Sequence, residues 1–288
     1  IKLGDDERID KSIRWFGIDF NYHIFLASFS NKKSSLLKST TDSRLTANLD
    51  AKNNFEFSLI FTKKEYNHLK TLGDNIHLSV DFGIWSILAE PMLLLLQFFY
   101  NLIPNYGLAI ILLTLMIRLI TFPLQWKSFK SMKKMQIIQP ELTALKAKFK
   151  DDPQRMQKES MELFKRAGAN PLGGCLPLFL QMPVFFALYK VLYGAVELVE
   201  APFYFWIHDL SIKDPFYVLP VLMAGAMFLQ QKLSPTTVAD PTQKKVMMFM
   251  PLIFGLIMKD LPAGLCLYIF ISTIFGLAQQ MFVYKRTT

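Results

Sequence analysis

The chain has 288 residues and a mass of 33.2 kDa, with 52% hydrophobic residues and a mean hydropathy of +0.26. That is more apolar than an ordinary soluble domain, and the excess follows residue 83, which excludes a purely water-soluble fold. The net charge of +9 lies mostly between apolar runs and not on one polar domain, which argues against a nucleic-acid-binding module. Cys175 and Cys266 give neither a disulfide framework nor metal-ligand spacing and read as small buried hydrophobes.

Residues 1–83 differ from the rest. Ile18–Phe29 and Phe55–Thr62 are rich in aromatic and β-branched residues, and Ile76–Phe82 alternates apolar with polar side chains as a half-buried strand does. Polar connectors at Ser39–Ser43 and Asp50–Asn54 separate such runs. The pattern predicts a water-exposed β-rich domain, expected to be part of a β-sandwich. No basic, apolar, small-residue leader opens the chain at Ile1, so a fragment is expected whose targeting segment or anchor lies outside it.

Residues 84–105 are apolar but interrupted by Glu90-Pro91, a pair suited to the first turn of a helix. A helix from there to Ile103 is shorter than the ~20 residues needed to span hydrocarbon. The segment is read as an interfacial amphipathic helix, with a spanning helix as the alternative.

Five stretches follow that can cross a membrane: Tyr106–Leu124, Leu172–Val196, Pro215–Gln231, Val246–Lys259 and Pro262–Tyr284. The last two are joined by the tight polar turn at Lys259–Pro262 and predict an antiparallel hairpin. Basic residues decide the orientation. Trp126–Asn170 holds eleven Lys/Arg against five Asp/Glu, and the connector Lys232–Lys245 and the Lys285-Arg286 tail are also basic. Glu197–Asp214 and the Asp260 turn, on the other face, are net acidic. The basic face is therefore expected in the cytoplasm, and residues 1–83 in the periplasm.

Within residues 126–170, Trp126–Lys150 and Pro153–Ala167 have helical composition. Asp151-Asp152-Pro153 supplies a break, an N-cap and a first-turn proline, and Gly168 a stop. The expectation is a basic helical hairpin at the cytoplasmic end of the first span. It reads either as a solvated linker or as a surface for an anionic partner, with Lys127, Lys130, Lys133, Lys134, Lys146 and Lys148 as candidate contacts.

Arg118 is the residue that needs explaining. It lies 12 residues after Tyr106, about 18 Å along a helix, where a charge costs at least ~2.5–3.5 kcal/mol. No Asp or Glu lies deep in any span to neutralise it. Either it snorkels to the cytoplasmic headgroups or it sits in a wet cavity. Thr114 and Thr121 on its own helix, and Gln181, Gln230, Gln231, Ser272, Thr273, Gln279 and Gln280 on others, can line such a cavity.

Several chemistries drop out. Each of His23, His68, His77 and His208 lies outside the spans, which removes a Ser–His intramembrane protease. No His-Glu-x-x-His or phosphate-binding glycine loop occurs, and no membrane-embedded carboxylate or internal repeat suggests a coupled transporter. A small-solute channel and an assembly scaffold remain compatible with these spans.

The motifs Asn170–Pro183 (NPLGGCLPLFLQMP), Phe205–Leu210 (FWIHDL) and Lys232–Asp240 (KLSPTTVAD), with Arg118 and Phe122-Pro123-Leu124, resemble the YidC/Oxa/Alb family of membrane protein insertases. The resemblance covers about residues 84–286. Residues 10–83 resemble the C-terminal part of the periplasmic domain of Gram-negative members, best at Trp15-Phe16-Gly17. It implies a five-transmembrane-helix core over residues 106–286 with a cytoplasmic helical hairpin and a hydrophilic groove open to cytoplasm and lipid and closed outside. Arg118 is implied to be the groove arginine, with Thr114, Gln181 and Tyr268 as further substrate contacts. Ile269 stands where the family commonly carries a second aromatic, and Lys259-Asp260 replaces an apolar-aromatic pair. The implied activity is insertion and chaperoning of nascent inner-membrane proteins, alone or with the Sec translocon. The implied partners are the nascent chain, the ribosome, the Sec translocon and phospholipids. No catalytic residue, metal, cofactor or small-molecule substrate is implied; the protein is not expected to be an enzyme.

Overall fold

The computed structural model describes residues 8–9, 15–20, 22–29, 34–39, 44–49, 57–73, 75–170, 173, 176–234 and 241–286. The chain divides into two compact units, Ile1–Asp81 with Gly194–Glu197, and Phe82–Tyr193 with Leu198–Thr288.

In the first unit, β1 (Arg8–Ile9), β4 (Ser34–Ser39) and β5 (Arg44–Leu49) form one antiparallel sheet in the order β1-β4-β5. β2 (Trp15–Asp19), β3 (His23–Phe29) and β6 (Phe57–Lys63) form another, with β3 central. The run Ile18–Phe29 thus folds back on itself at Phe20–Tyr22, where the Phe20 N–H donates to the His23 carbonyl. Alternation along β3 turns Ile24 and Leu26 inward, and they pack with Leu69 of helix α1 (Tyr66–Thr71) and with Ile76. Gly17, opposite Leu26, has no room for a side chain: a Cβ there would lie 2.7 Å from the Leu26 side chain.

One expectation changes here. Ile76–Phe82 is not a strand; Ile76–Ser79 forms a 3₁₀ turn entered from Asn75 at φ 59°. Ile76 and Val80 both pack on the β3 core, a spacing of four, so the alternation reflects a turn and not a pleat. The described strands make two three-stranded sheets, and the β2-β3-β6 sheet carries α1 and the Ile76 turn on its core face. The connectors at 40–43 and 50–54 lie outside the described residues.

The second unit is helical. A 3₁₀ turn, Gly83–Trp85, leads into α2 (Ser86–Leu102), so the helix begins before Glu90 and carries Pro91 inside. Pro91 is the sixth residue of α2, so the Ile87 carbonyl lacks its helical donor and the helix runs on across one missing backbone bond. Turn and helix together make a 20-residue apolar run, one of three among the described residues long and apolar enough to cross a membrane by length and composition, with Tyr106–Leu145 and Ala263–Arg286. Trp85 stacks on Phe186 at 5.5 Å between ring centroids, and Tyr100 on Tyr106 at 4.0 Å.

α3 (Tyr106–Lys148) is a single helix of 43 residues, capped by Asn105, whose side chain accepts from the Leu108 N–H. At ~1.5 Å per residue it is about 65 Å long, twice the ~30 Å hydrocarbon. No break separates the first span from the basic segment: a change from apolar to polar residues at Trp126 alters what surrounds a helix, not whether it continues. α4 (Pro153–Ala167) begins with the Asp152 side chain accepting from Arg155 N–H and ends at Gly168, φ 57°. It folds back on α3, with Leu163, Phe164 and Ala167 against Met135 and Ile138.

α5 (Leu176–Gly194), α6 (Val218–Leu233) and α7 (Pro241–Met258) include the shorter apolar helices, and α8 (Ala263–Arg286) closes the bundle. α8 packs against α3 and α6, and α6 against α7, where Gly255 lets the backbone approach Ala224.

Candidate functional site

Arg118 sits on α3 facing α8. Its Nε and Nη2 both donate to Ser272 Oγ, at 3.0 and 2.6 Å, and Nη1 donates to Gln125 Oε1 at 3.2 Å. Gln181 of α5 donates to the Tyr268 hydroxyl and, at 3.4 Å, to Ser272 Oγ. Gln279 Nε2 donates to the Arg118 carbonyl at 3.2 Å. The fork fits because residue 276 is glycine: a Cβ there would lie 3.3 Å from Arg118 Nη1 and 3.4 Å from Gln230 Nε2.

Each acceptor of the guanidinium is a neutral oxygen. No Asp or Glu occurs from Tyr106 to Pro140 or in α5, α6, α7 or α8. Hydrogen bonds offset part of the cost of holding a cation here, but no carboxylate cancels the charge. Three of its five N–H donors are used by these bonds. The arrangement is a held, uncompensated cation.

Of the four candidate groove residues, Gln181 and Tyr268 join Arg118 through Ser272. Tyr268 is buried, as is Thr114, but the Thr114 hydroxyl turns back to the Ile110 carbonyl at 2.6 Å and adds no bond to this network. Sequence reading missed Gln125, which lies just past the apolar run that ends at Leu124. Its position, i+7 from Arg118 and i+4 from Thr121, was the available signal.

The end of the bundle where α3 and α8 begin is closed by the segment between α5 and α6. The Ile212 and Leu210 carbonyls accept from Ala263 N–H (2.7 Å) and Gly264 N–H (3.0 Å), so loop backbone caps α8. Gly107 leaves the space that the Phe203 ring occupies. Asp214, fully buried, accepts from Trp206 Nε1 (3.0 Å), Phe216 N–H (3.0 Å) and Leu219 N–H (2.7 Å), fixing the start of α6. The Lys213–Asp260 pair at 3.7 Å is well exposed and adds little.

The six lysines of the basic segment separate into kinds. Lys133 donates to the Tyr284 carbonyl at 2.7 Å, and Lys134 to the Gly168 carbonyl at 3.0 Å, so these two serve the ends of α8 and α4. Lys127, Lys130 and Lys148 are exposed, Lys148 over the Phe149 ring at 5.4 Å. The Lys146 side chain lies outside what is described. Beside Lys133, Phe129 and Met132 pack on Val283 of α8.

A helical bundle with a half-buried cation in an apolar helix, a capped far end and a basic extension defines a multi-pass membrane protein. The sequence profile of the family described as 60Kd inner membrane protein matches residues 98–288, and the chain belongs to that family, whose members lie in the inner membrane. It is 40% identical to the membrane protein insertase YidC of Syntrophus aciditrophicus, over 99% of this chain and 54% of that protein. It is 46% identical to the membrane protein insertase YidC of Wolinella succinogenes, over 82% of this chain and 44% of that one. The chain thus spans about half the length of these relatives. Its fold is similar to that of a crystal structure of active YidC insertase with the first transmembrane domain resolved, at a TM-score of 0.59 and 23% identity, covering 96% of this chain and 65% of that one.

Proposed function

We propose that this chain carries a membrane protein insertase activity, using the Arg118 network as a polar groove that receives the leading segment of a nascent membrane protein. The observation that supports it is a cation bonded to neutral oxygens alone, with no carboxylate in α3 up to Pro140 or in α5, α6, α7 and α8. Such a charge attracts an acidic residue of the incoming chain without a competing internal partner. Moving a polar tail through ~30 Å of hydrocarbon is the step to be eased. A wet path reaching Arg118 shortens the dry part, and burial of the substrate's apolar span in lipid supplies the driving force. No covalent bond changes, so the role is that of an insertase and chaperone and not of an enzyme.

In this reading α3, α5, α6, α7 and α8 are the five spans. Residues 126–170 face the cytoplasm, and residues 1–83, part of a β-sandwich, face the periplasm. α2 does not cross. Trp85, just before its first turn, stacks on Phe186, about 15 Å from one end of α5 and about 12 Å from the other, while its last turns meet the start of α3. A helix so placed lies inclined in the outer part of the membrane. Nascent chains, the ribosome, the Sec translocon and phospholipids are the partners.

A photo-crosslinking probe at Leu115, one turn before Arg118 and half-buried, tests the groove. Crosslinks to a ribosome-stalled single-span protein are expected at intermediate nascent-chain lengths only, vanishing on release. Labelling of lipid alone at every length overturns the reading.

The exposed lysines lead to another expected result. Changing Lys127, Lys130 and Lys148 together to Glu is expected to make the salt dependence of ribosome co-sedimentation shallower by about three in log–log slope, one per lost phosphate contact. A slope unchanged from wild type removes these lysines from the docking surface.

A further inference from the structure

Gln125 is 3% exposed and lies two turns beyond Arg118 on the same helix. Its amide orientation is set by a relay. The Thr121 hydroxyl donates to the Ile117 carbonyl at 2.9 Å, which leaves Thr121 Oγ1 as an acceptor. Gln125 Nε2 donates to that oxygen at 3.0 Å, so Oε1 is turned to Arg118 Nη1 at 3.2 Å. On the opposite edge of the fork, Ser272 Oγ faces three donors, Arg118 Nε and Nη2 and Gln181 Nε2, with only two lone pairs to offer. That edge is oversubscribed, and an entering carboxylate can take one of its donors at little cost. The Gln125 edge is the well-satisfied one.

We propose that Thr121 and Gln125 are positioning residues: they hold the Nη1 edge of Arg118 so that the Nε/Nη2 edge faces the groove and distinguishes acidic from neutral substrate tails. The role rests on the insertase reading above. It requires the acceptor to be neutral, because a carboxylate at position 125 would give Arg118 a permanent internal partner.

The test uses the full-length protein in vesicles of phosphatidylethanolamine and phosphatidylglycerol, with protease protection of a single-span peptide carrying either two Asp or two Asn in its translocated tail. The readout is the ratio of acidic-tail to neutral-tail insertion. Gln125→Met is expected to lower it about tenfold, the effect of losing one hydrogen bond to a charged group, and Thr121→Val about fivefold, the effect of the neutral bond that turns Gln125, both through a higher half-saturating concentration of the acidic peptide. Thr121→Ser retains the ratio, and Gln125→Glu brings it to one. In arginine-labelled protein, the two Nη resonances of a hindered guanidinium are expected in wild type and Thr121→Ser, and to merge in Thr121→Val. A ratio unmoved by Thr121→Val and Gln125→Glu, or an equal fall with both peptides, overturns the positioning role. Wild-type vesicles that insert neither peptide above empty ones overturn the insertase reading itself, whatever the resonances show.

Discussion

Arg118→Ala is expected to reduce insertion of a substrate with an acidic translocated tail about tenfold relative to one with a neutral tail, the scale of one lost charge-assisted hydrogen bond. Arg118→Lys is expected to stay within roughly threefold of wild type, because it keeps the charge and gives up only the fork that meets Ser272 and Gln125. Folding should survive both changes, since alanine removes a costly buried cation. The check is the same pair of peptides at matched protein concentration. Equal rates for all three proteins on the acidic peptide would leave Arg118 without an electrostatic part in insertion.

The second large effect is on stability. Asp214→Ala leaves Trp206 Nε1 and the Phe216 and Leu219 N–H groups without their acceptor in a fully buried site. At about 1 kcal/mol for each bond the loss is about 3 kcal/mol. For a helical unit of this size that lowers the midpoint of thermal unfolding in detergent by roughly 6–10 °C. Asp214→Asn, which keeps one acceptor oxygen, should lose less than half of this. A midpoint unchanged in Asp214→Ala would mean that the segment between α5 and α6 is held by its apolar contacts alone.

Helix starts were legible wherever the chain supplies a chemical stop before them. Asn105 before Tyr106, Asp152-Pro153, Gly168, and the Lys259–Pro262 turn each mark a boundary that the fold uses. Where the sequence changes only in polarity, the boundary was not legible. α3 passes Trp126 without a break, because polarity selects the medium around a helix and leaves its hydrogen bonds intact. Pro91 misled for a related reason: it signals an N-terminal turn, yet here it lies inside the helix, which continues with one backbone bond missing. Ile76–Phe82 alternates like a strand, yet Ile76 and Val80 share one core. For the site, Arg118 stood out as a charge in an apolar run, whereas Gln125 and Asp214 sat at the ends of runs, where polar residues draw no notice. Nor does a lysine count distinguish Lys133, spent on the end of α8, from the exposed Lys130.

The uninterrupted α3 has a mechanical consequence. Its contact with the end of α8, at Phe129, Met132 and Lys133, lies between two landmarks: Arg118 is fifteen residues to one side of Lys133 and Lys148 fifteen to the other. Each arm is therefore about 22 Å. Arg118 is itself tied to α8 through Ser272 and Gln279, and α4 packs on Met135 and Ile138, so the rod is braced on both sides of the Lys133 contact and a load at the Lys148 end meets that bracing before it meets the guanidinium. Pro123 and Pro140 remove one backbone bond from each arm and are the points where the rod would give.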